Sequence, residues 1–194
     1  MLSIKNWDNK TWISSTKYIQ SFNNFLVKQK KLTKHSKILD IGCGTGHHVA
    51  SLGSKGLDVL GIDISENMIQ EAEKLDIYDT LIVGDIVEKL NASHDKFDLL
   101  VALDVLIYIG DVKSTFQAAR KCCKLDSLFV FSVEIQDENG YSLLKSSRYA
   151  HSDEYIMKQS NGLFDLVNSQ NVKLRKEGEN WIDGKVYIFR SGKL

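Results

Sequence analysis

The chain has 194 residues, 43% of them apolar, and its 25 basic residues balance 25 acidic ones. This composition predicts one globular domain, and zero net charge argues against a surface built for polyanions. No run of about 18 apolar residues is present and the N-terminus lacks the apolar core of a signal peptide, so no membrane partner is expected. The three cysteines have neither metal-ligand nor disulfide spacing, which fits a reducing cytoplasm.

The predicted elements begin with an amphipathic helix over residues 10–31, where apolar residues recur at spacings of three and four. A short apolar strand follows over 37–41 and leads into the turn Gly42-Cys43-Gly44-Thr45-Gly46. Such a glycine run lets the backbone turn tightly and lie close against a ligand, although it can also be only a tight loop. A helix over about 46–55 comes next and is predicted to end at Gly56.

A second strand over 58–63 ends at Asp63, roughly 20 residues beyond the glycine turn. A carboxylate at that position is placed to accept hydrogen bonds from ribose hydroxyls. Ser65 is a good cap for the helix that follows. A third strand over about 79–83 precedes Asp85, for which a short Asx turn is one explanation.

The fourth strand, over 97–103, is almost continuously apolar, as expected for a parallel strand covered on both faces. Residues 104–109 follow it at the carboxyl edge, where open α/β sheets bind ligands. A helix over about 111–124 and a strand over 127–134 continue the alternation. A polar segment over 136–152 then interrupts it.

The C-terminal part begins with a helix from Ser152 to just before Asn161. Two strands with alternating patterns, about 164–175 and 184–190, predict an antiparallel hairpin at the sheet edge. The alternation as a whole predicts an α/β fold in one domain, 1–194. It is a doubly wound, Rossmann-like, seven-stranded, mostly parallel sheet with a C-terminal antiparallel hairpin.

The spacing Asp40-x-Gly42-x-Gly44-x-Gly46 resembles the first motif of class I S-adenosylmethionine-dependent methyltransferases. It differs from the dinucleotide fingerprint, whose last glycine stands three residues on and whose ligand is a pyrophosphate. S-adenosylmethionine carries instead an ammonium, a carboxylate and a cationic sulfonium. An acid at Asp40, at the carboxyl end of its strand, suits that cationic end better than it suits a pyrophosphate.

The resemblance implies S-adenosyl-L-methionine as cofactor, S-adenosyl-L-homocysteine as product, and no metal. Asp63 would hold the ribose, and Asp85 would accept a hydrogen bond from the adenine amino group. Ile64 and Met68 would pack on the adenine face, unless they are simply core residues. The full cofactor-binding set implied is Asp40, Gly42, Cys43, Gly44, Gly46, Asp63, Ile64, Met68, Asp85, Ile86 and Leu103.

A narrower resemblance covers about residues 37–190. Its pieces are Asp104-Val105-Leu106-Ile107-Tyr108-Ile109-Gly110-Asp111, Phe131-Ser132-Val133-Glu134, Gly140-Tyr141-x-Leu143 and Arg148-Tyr149-Ala150-His151-Ser152. They are similar to the methyltransferase family often fused to tetratricopeptide repeats in bacteria, although the repeats are absent here. The implied organisation is an N-terminal helical segment (1–36), a cofactor-binding core (37–134), and a substrate-side segment with the terminal hairpin (135–194).

Three residues are candidates for catalysis on the acceptor side. Arg148 could pair with a carboxylate or phosphate of the acceptor, and His151 could take a proton from its hydroxyl or ammonium. Tyr108 could orient the acceptor from the opposite wall. The alternatives are a structural salt bridge for Arg148 and, for His151, a place just before the Ser152 cap.

These features predict a methyltransferase that transfers a methyl group to a small-molecule acceptor by in-line displacement. The motif Asn-Pro-Pro-Tyr, which signals methylation of nucleic-acid amino groups, is absent, so no nucleic acid partner is expected. The alternatives are methylation of protein or RNA, and a noncatalytic nucleotide-cofactor-binding module or NAD-dependent enzyme on a similar fold. The expected location is cytoplasmic, and the sequence leaves the oligomeric state open.

Overall fold

Five parallel strands form the centre of the sheet in the computed structural model, which describes residues 32–50 and 57–192. They are β1 (Lys37–Ile41), β2 (Asp58–Asp63), β3 (Thr80–Val83), β4 (Phe97–Ala102) and β5 (Cys123–Ile135). They lie in the order β3-β2-β1-β4-β5, and every neighbouring pair is parallel. The predicted helix over 10–31 and residues 51–55 of the one predicted over 46–55 lie outside the described residues, and residues 47–49 form turns.

Four α-helices lie in the described part of the chain, and their starts are set by local polar groups. They are α1 (Glu66–Glu73), α2 (Ile86–Ala92), α3 (Lys113–Cys122) and α4 (Asp153–Ser160). Ser65 caps α1 and Ser152 caps α4 by accepting a backbone N–H, as predicted. A 3-10 turn (Leu106–Tyr108) leads the chain away from β4.

Four further strands complete a nine-stranded sheet in the described residues. They are β6 (Tyr141–Leu143), β7 (Tyr149–His151), β8 (Phe164–Glu177) and β9 (Asn180–Ser191). The β8–β9 hairpin pairs through β9 with β5, antiparallel, which confirms the predicted fold class and terminal hairpin. The β6–β7 hairpin was not predicted. It extends the sheet at the carboxyl end of β5, where β7 pairs parallel to β5.

The core lies on both faces of the sheet because successive strand residues point to opposite sides. One cluster contains Leu39, Leu100 and Phe129, and the other contains their neighbours Ile38, Leu99 and Leu128. Aromatic rings dominate the first cluster, with Phe116, Phe129, Phe131, Phe164 and Phe189 in contact. These layers hold the carboxyl ends of β1, β2 and β4 side by side.

No helix in the described ranges, 32–50 and 57–192, has the length and apolar character needed to cross a membrane.

Candidate active site

A cavity of about 1050 Å³ opens at the carboxyl edge of the parallel strands. Its wall combines the glycine turn after β1, the end of β2 with the start of α1, the start of α2, the segment after β4, and the first turn of α3. Ten of the predicted site residues line it: Gly42, Cys43, Gly44, Asp63, Ile64, Met68, Asp85, Ile86, Leu103 and Tyr108. Asp40, Gly46, Arg148 and His151 are not among the described residues of this wall.

The glycine turn meets two different requirements. Gly42 has φ +64°, and a Cβ on it would lie 2.5 Å from the Val105 side chain, so only glycine allows this close approach. Gly44 has φ +53°, and a Cβ there would meet no atom of the described residues within 4 Å. Gly44 therefore leaves open space in the cavity wall, whereas Gly42 joins two loops of the protein.

Gly46 belongs to the packing behind the cavity. It has φ +85°, and a Cβ would lie 2.9 Å from side-chain atoms of both Leu75 and Tyr78. Its N–H donates to the Cys43 carbonyl oxygen at 2.9 Å and closes the turn. The structure thus gives Gly46 a conformational role and places it outside the wall that a ligand would touch.

Asp63 ties the glycine turn to the start of α1. Its Oδ2 accepts the Gly44 N–H and its Oδ1 accepts the Ser65 N–H, both at 2.8 Å. A carboxylate has about four acceptor positions, so both oxygens can still accept hydrogen bonds from a ligand. The residue lies in the cavity wall at the position predicted for ribose binding.

Asp40 lies behind the cavity, with only 2% of its surface exposed. The Tyr78 hydroxyl donates a hydrogen bond to its Oδ2 at 2.7 Å. Burial raises the pKa of Asp40 to about 7, the Tyr78 hydrogen bond lowers it, and the nearby Asp63 charge raises it. Asp40 is therefore an ionisable group directly beneath the glycine turn rather than a wall residue.

The wall opposite the glycine turn is partly apolar. Ile64 is 73% exposed and Met68 is 44% exposed, so neither is a core residue. Both line the cavity together with Ile86 and the buried Leu103. Two exposed apolar side chains beside a carboxylate form a surface suited to a flat heteroaromatic ring.

Asp85 has a local structural role, but as a helix cap, where a short Asx turn was the predicted structural alternative. It is the N-cap of α2, and its Oδ1 accepts the Glu88 N–H at 2.9 Å. It is also exposed and lines the cavity, so the capping role leaves its side chain accessible to a ligand. Asp85 therefore caps α2 and faces the cavity at the same time.

The structure separates the three residues predicted for the acceptor side. Tyr108 is 63% exposed and lines the cavity. Arg148 forms an ion pair with Glu177, which is the structural alternative. His151 is fully buried, and its Nε2 lies 3.0 Å from the carbonyl oxygens of both Ile109 and Gly110. His151 therefore supports the segment that carries Tyr108 and has no exposed face toward the cavity.

Burial also lowers the pKa of His151, although the two carbonyl contacts oppose this effect. A neutral ring donates one N–H, and Nε2–H is the group that reaches the two carbonyls. Its Nδ1 has no hydrogen-bond partner. This geometry does not support the proton-accepting role predicted for His151.

Sequence reasoning missed several residues of the site. Asp104 lines the cavity with φ +59°, a conformation uncommon for any residue except glycine. His47 and His48 also line the cavity, and neither is among the site residues predicted from the sequence. The position of Asp104 after the fourth strand was a usable signal, whereas nothing in the sequence pairs Tyr78 with Asp40.

Comparison with known proteins gives the family. A family model described as a methyltransferase domain matches residues 32–169, well over half of the chain. The chain is 29% identical over 130 residues to a ubiquinone biosynthesis O-methyltransferase from Actinobacillus pleuropneumoniae, covering 63% of this chain and 53% of that one. It is 28% identical over 134 residues to the putative methyltransferase YqeM of Bacillus subtilis, covering 66% and 54%. The chain thus spans about half the length of these curated relatives.

The fold is shared with solved structures. Magnesium protoporphyrin IX methyltransferase from Synechocystis PCC 6803, solved with bound S-adenosylmethionine, superposes with a TM-score of 0.71 at 20% identity. The match covers 91% of this chain and 79% of that one. The same protein has also been solved with bound S-adenosylhomocysteine. The family match and the shared fold together show that the chain belongs to the methyltransferase domain family, among the class I S-adenosylmethionine-dependent methyltransferases.

Proposed function

We propose that the chain methylates a small molecule with S-adenosylmethionine, and that the cavity beside the glycine turn holds the cofactor. The observation that carries this proposal is the pairing of Gly44 with Asp63. The open space at Gly44 lets a ligand reach the backbone, and the Asp63 carboxylate holds that backbone while keeping acceptor positions for hydroxyl groups.

The rest of the wall fits the same cofactor. Asp63 would accept hydrogen bonds from the ribose hydroxyls, and Ile64 and Met68 would flank the adenine ring. Asp85 would accept from the adenine amino group. The Asp40 carboxylate, beneath Gly42 and Cys43, would favour the cationic methionyl end when it is ionised.

The protein's part in the reaction is positioning. When bound, S-adenosylmethionine would supply a methyl group on a cationic sulfur, whose sulfur–carbon bond is already activated for transfer. The chain's residues hold the acceptor in line with that bond and exclude water. Tyr108, exposed in the wall, would contact the acceptor, and His151 would hold the 109–110 backbone behind it.

A small-molecule acceptor is supported by a cavity of about 1050 Å³ lined by apolar and acidic side chains, and by the ubiquinone O-methyltransferase relatives. A cytoplasmic location is supported by the three cysteines, which are all buried free thiols. We retain the predicted division into a cofactor core, 37–134, and a substrate-side segment, 135–194. The narrower resemblance to the repeat-fused family stays a prediction.

Calorimetry with S-adenosylmethionine and with NAD on the same preparation tests the cofactor assignment. We expect binding of S-adenosylmethionine and S-adenosylhomocysteine and no binding of NAD. A panel of small-molecule acceptors, followed by release of S-adenosylhomocysteine, then tests transfer. Binding of NAD without binding of S-adenosylmethionine would overturn the proposal, and methylation of RNA or protein in preference to every small molecule would correct the acceptor class.

A further inference from the structure

Asp104 is held in an unusual backbone conformation at the cavity wall. It follows β4 with φ +59°, where a non-glycine residue is strained unless its surroundings hold it. Its N–H donates to the Oγ of the buried Ser132 on β5 at 2.8 Å. The strained conformation therefore presents a carboxylate to the cavity and is fixed from the neighbouring strand.

Arg175 holds the side chain of Asp104. Its Nη1 donates to Asp104 Oδ1 at 3.2 Å, although the two residues are 71 positions apart in sequence. The same guanidinium pairs with Glu134 through Nη2 and with Glu177 through Nε, the latter at 2.9 Å. Only 14% of the Arg175 side chain is exposed, so its fork is committed to these three carboxylates.

Arg148 completes the group by pairing with the same Glu177. We call these five residues the ionic chain: Asp104, Glu134, Arg148, Arg175 and Glu177. Three carboxylates and two guanidiniums leave it with one net negative charge, and Asp104 is its member in the cavity wall. Arg148, predicted as a partner for an acceptor's carboxylate, is instead bound within the protein.

We propose that Asp104 contacts the methyl acceptor and that Arg175 is the residue that positions it. This rests on the proposed function and adds the acceptor's chemistry. The acceptor presents a hydroxyl or an ammonium to Asp104, and carries no carboxylate or phosphate at that end. Of the acids in the described wall, Asp104 is the one to which the proposed cofactor contacts give no role, and its negative charge favours a donor or cation and disfavours an anion.

Three phenols with para groups of different charge test the proposal: tyramine (cation), 4-methylphenol (neutral) and 4-hydroxyphenylacetate (anion). Binding of each to the protein loaded with S-adenosylhomocysteine is measured by calorimetry or ligand-observed NMR. We expect tyramine to bind about tenfold or more tighter than 4-hydroxyphenylacetate, as a charge-assisted hydrogen bond gives. Equal binding, reversed order or no binding of any probe would overturn the proposal.

The deciding variant is Asp104→Asn. Asparagine adopts positive φ more readily than most residues, so the backbone should be kept while the charge is lost. Tyramine should lose its advantage over 4-hydroxyphenylacetate, with S-adenosylhomocysteine affinity changed less than about threefold. The matched control is Asp183→Asn. It breaks the exposed Lys173–Asp183 ion pair on the β8–β9 hairpin, which also carries Arg175, and should change neither the tyramine affinity nor the S-adenosylhomocysteine affinity.

Arg175 is tested by comparing two replacements. Removing the cation beside Asp104 would by charge alone raise the tyramine preference. If Arg175 positions Asp104, we expect Arg175→Gln to lower that preference instead, and Arg175→Lys to restore part of it by keeping the charge without the fork. A merely structural role would lower stability and S-adenosylhomocysteine affinity together in both variants and leave the order of the probes unchanged. A parent protein that binds no S-adenosylhomocysteine would refute the proposed function itself. One that binds it without discriminating the probes would refute only the role of Asp104.

Discussion

At the scale of single residues, Asp63 has two tasks that one carboxylate can perform together. Its oxygens accept the backbone N–H groups of Gly44 and Ser65, and so fix the shape of the cavity before any ligand arrives. The same oxygens face the cavity, where ribose hydroxyls would lie in the proposed complex. Because this acceptor is already fixed in place, less conformational entropy is lost when the ligand binds.

Asp63→Asn should therefore weaken S-adenosylmethionine binding by roughly 10- to 150-fold, because asparagine accepts with one oxygen only and carries no charge. Isothermal calorimetry measures the affinity. The matched control is Asp79→Asn, since Asp79 accepts the Val59 N–H at 2.8 Å at the other end of β2, away from the cavity. An equal loss in both variants would show that β2 geometry, and not ribose contact, determines the affinity.

At the scale of elements, the glycine turn after β1 gives a ligand access at Gly44, whereas Gly42 and Gly46 are required by backbone geometry and packing. Gly44 and Gly178 have similar positive φ values, +53° and +59°, and at both a Cβ would meet nothing within 4 Å in the part of the chain that the structure describes. They differ in location, because Gly44 lines the cavity and Gly178 lies between β8 and β9. Comparing a side chain at Gly44 with one at Gly178 therefore separates the strain at positive φ from the effect on ligand binding.

Gly44→Ala and Gly178→Ala should each cost about 1–2 kcal/mol of folding free energy, because alanine is strained in this conformation. Only Gly44→Ala should also weaken S-adenosylmethionine binding, since its methyl group would project into the space left for the ligand. Urea unfolding gives the first quantity and calorimetry the second. Unchanged cofactor affinity in Gly44→Ala would mean that the turn is purely structural.

The elements also show which parts of the fold the sequence predicts. β1 and β2 match their predicted bounds because each is a short apolar run ended by a glycine or an acid. The β6–β7 hairpin was missed because its three-residue strands are too short for periodicity and β6 has no buried residue. Asp63 and Gly44 were identified from local spacing, whereas the contact of Arg175 with Asp104 depends on the register of β8, which no local pattern encodes.

At the scale of the whole molecule, two buried groups should give the folding stability opposite pH dependences. His151 has a lowered pKa, so the unfolded chain binds more protons than the fold, and stability falls as the pH drops below about 6.5. Asp40 has a pKa raised from 3.8 to about 7, so the fold binds more protons than the unfolded chain. The folding stability that Asp40 contributes is complete below pH 3.8 and is lost as the pH rises to 7.

Asp40→Asn should remove the loss of stability that the ionisation of Asp40 causes as the pH rises. A shift of this size corresponds to about 4 kcal/mol of folding free energy between low pH and pH above 7, and the variant should be more stable than the parent at pH 8. Asparagine can still accept the Tyr78 hydrogen bond through its oxygen, so the packing beneath the glycine turn is kept. Urea unfolding from pH 5 to pH 8 measures the difference.

Tyr78→Phe provides the opposite change at the same site. It removes the hydrogen bond that lowers the pKa of Asp40, so the loss of stability should extend to higher pH than in the parent. Because His151 is unaltered in both variants, differences between their profiles report Asp40 alone. If Asp40→Asn kept the parent's slope between pH 5 and 7, the carboxylate would be ionised throughout that range, and its burial would not determine the pH response of the fold.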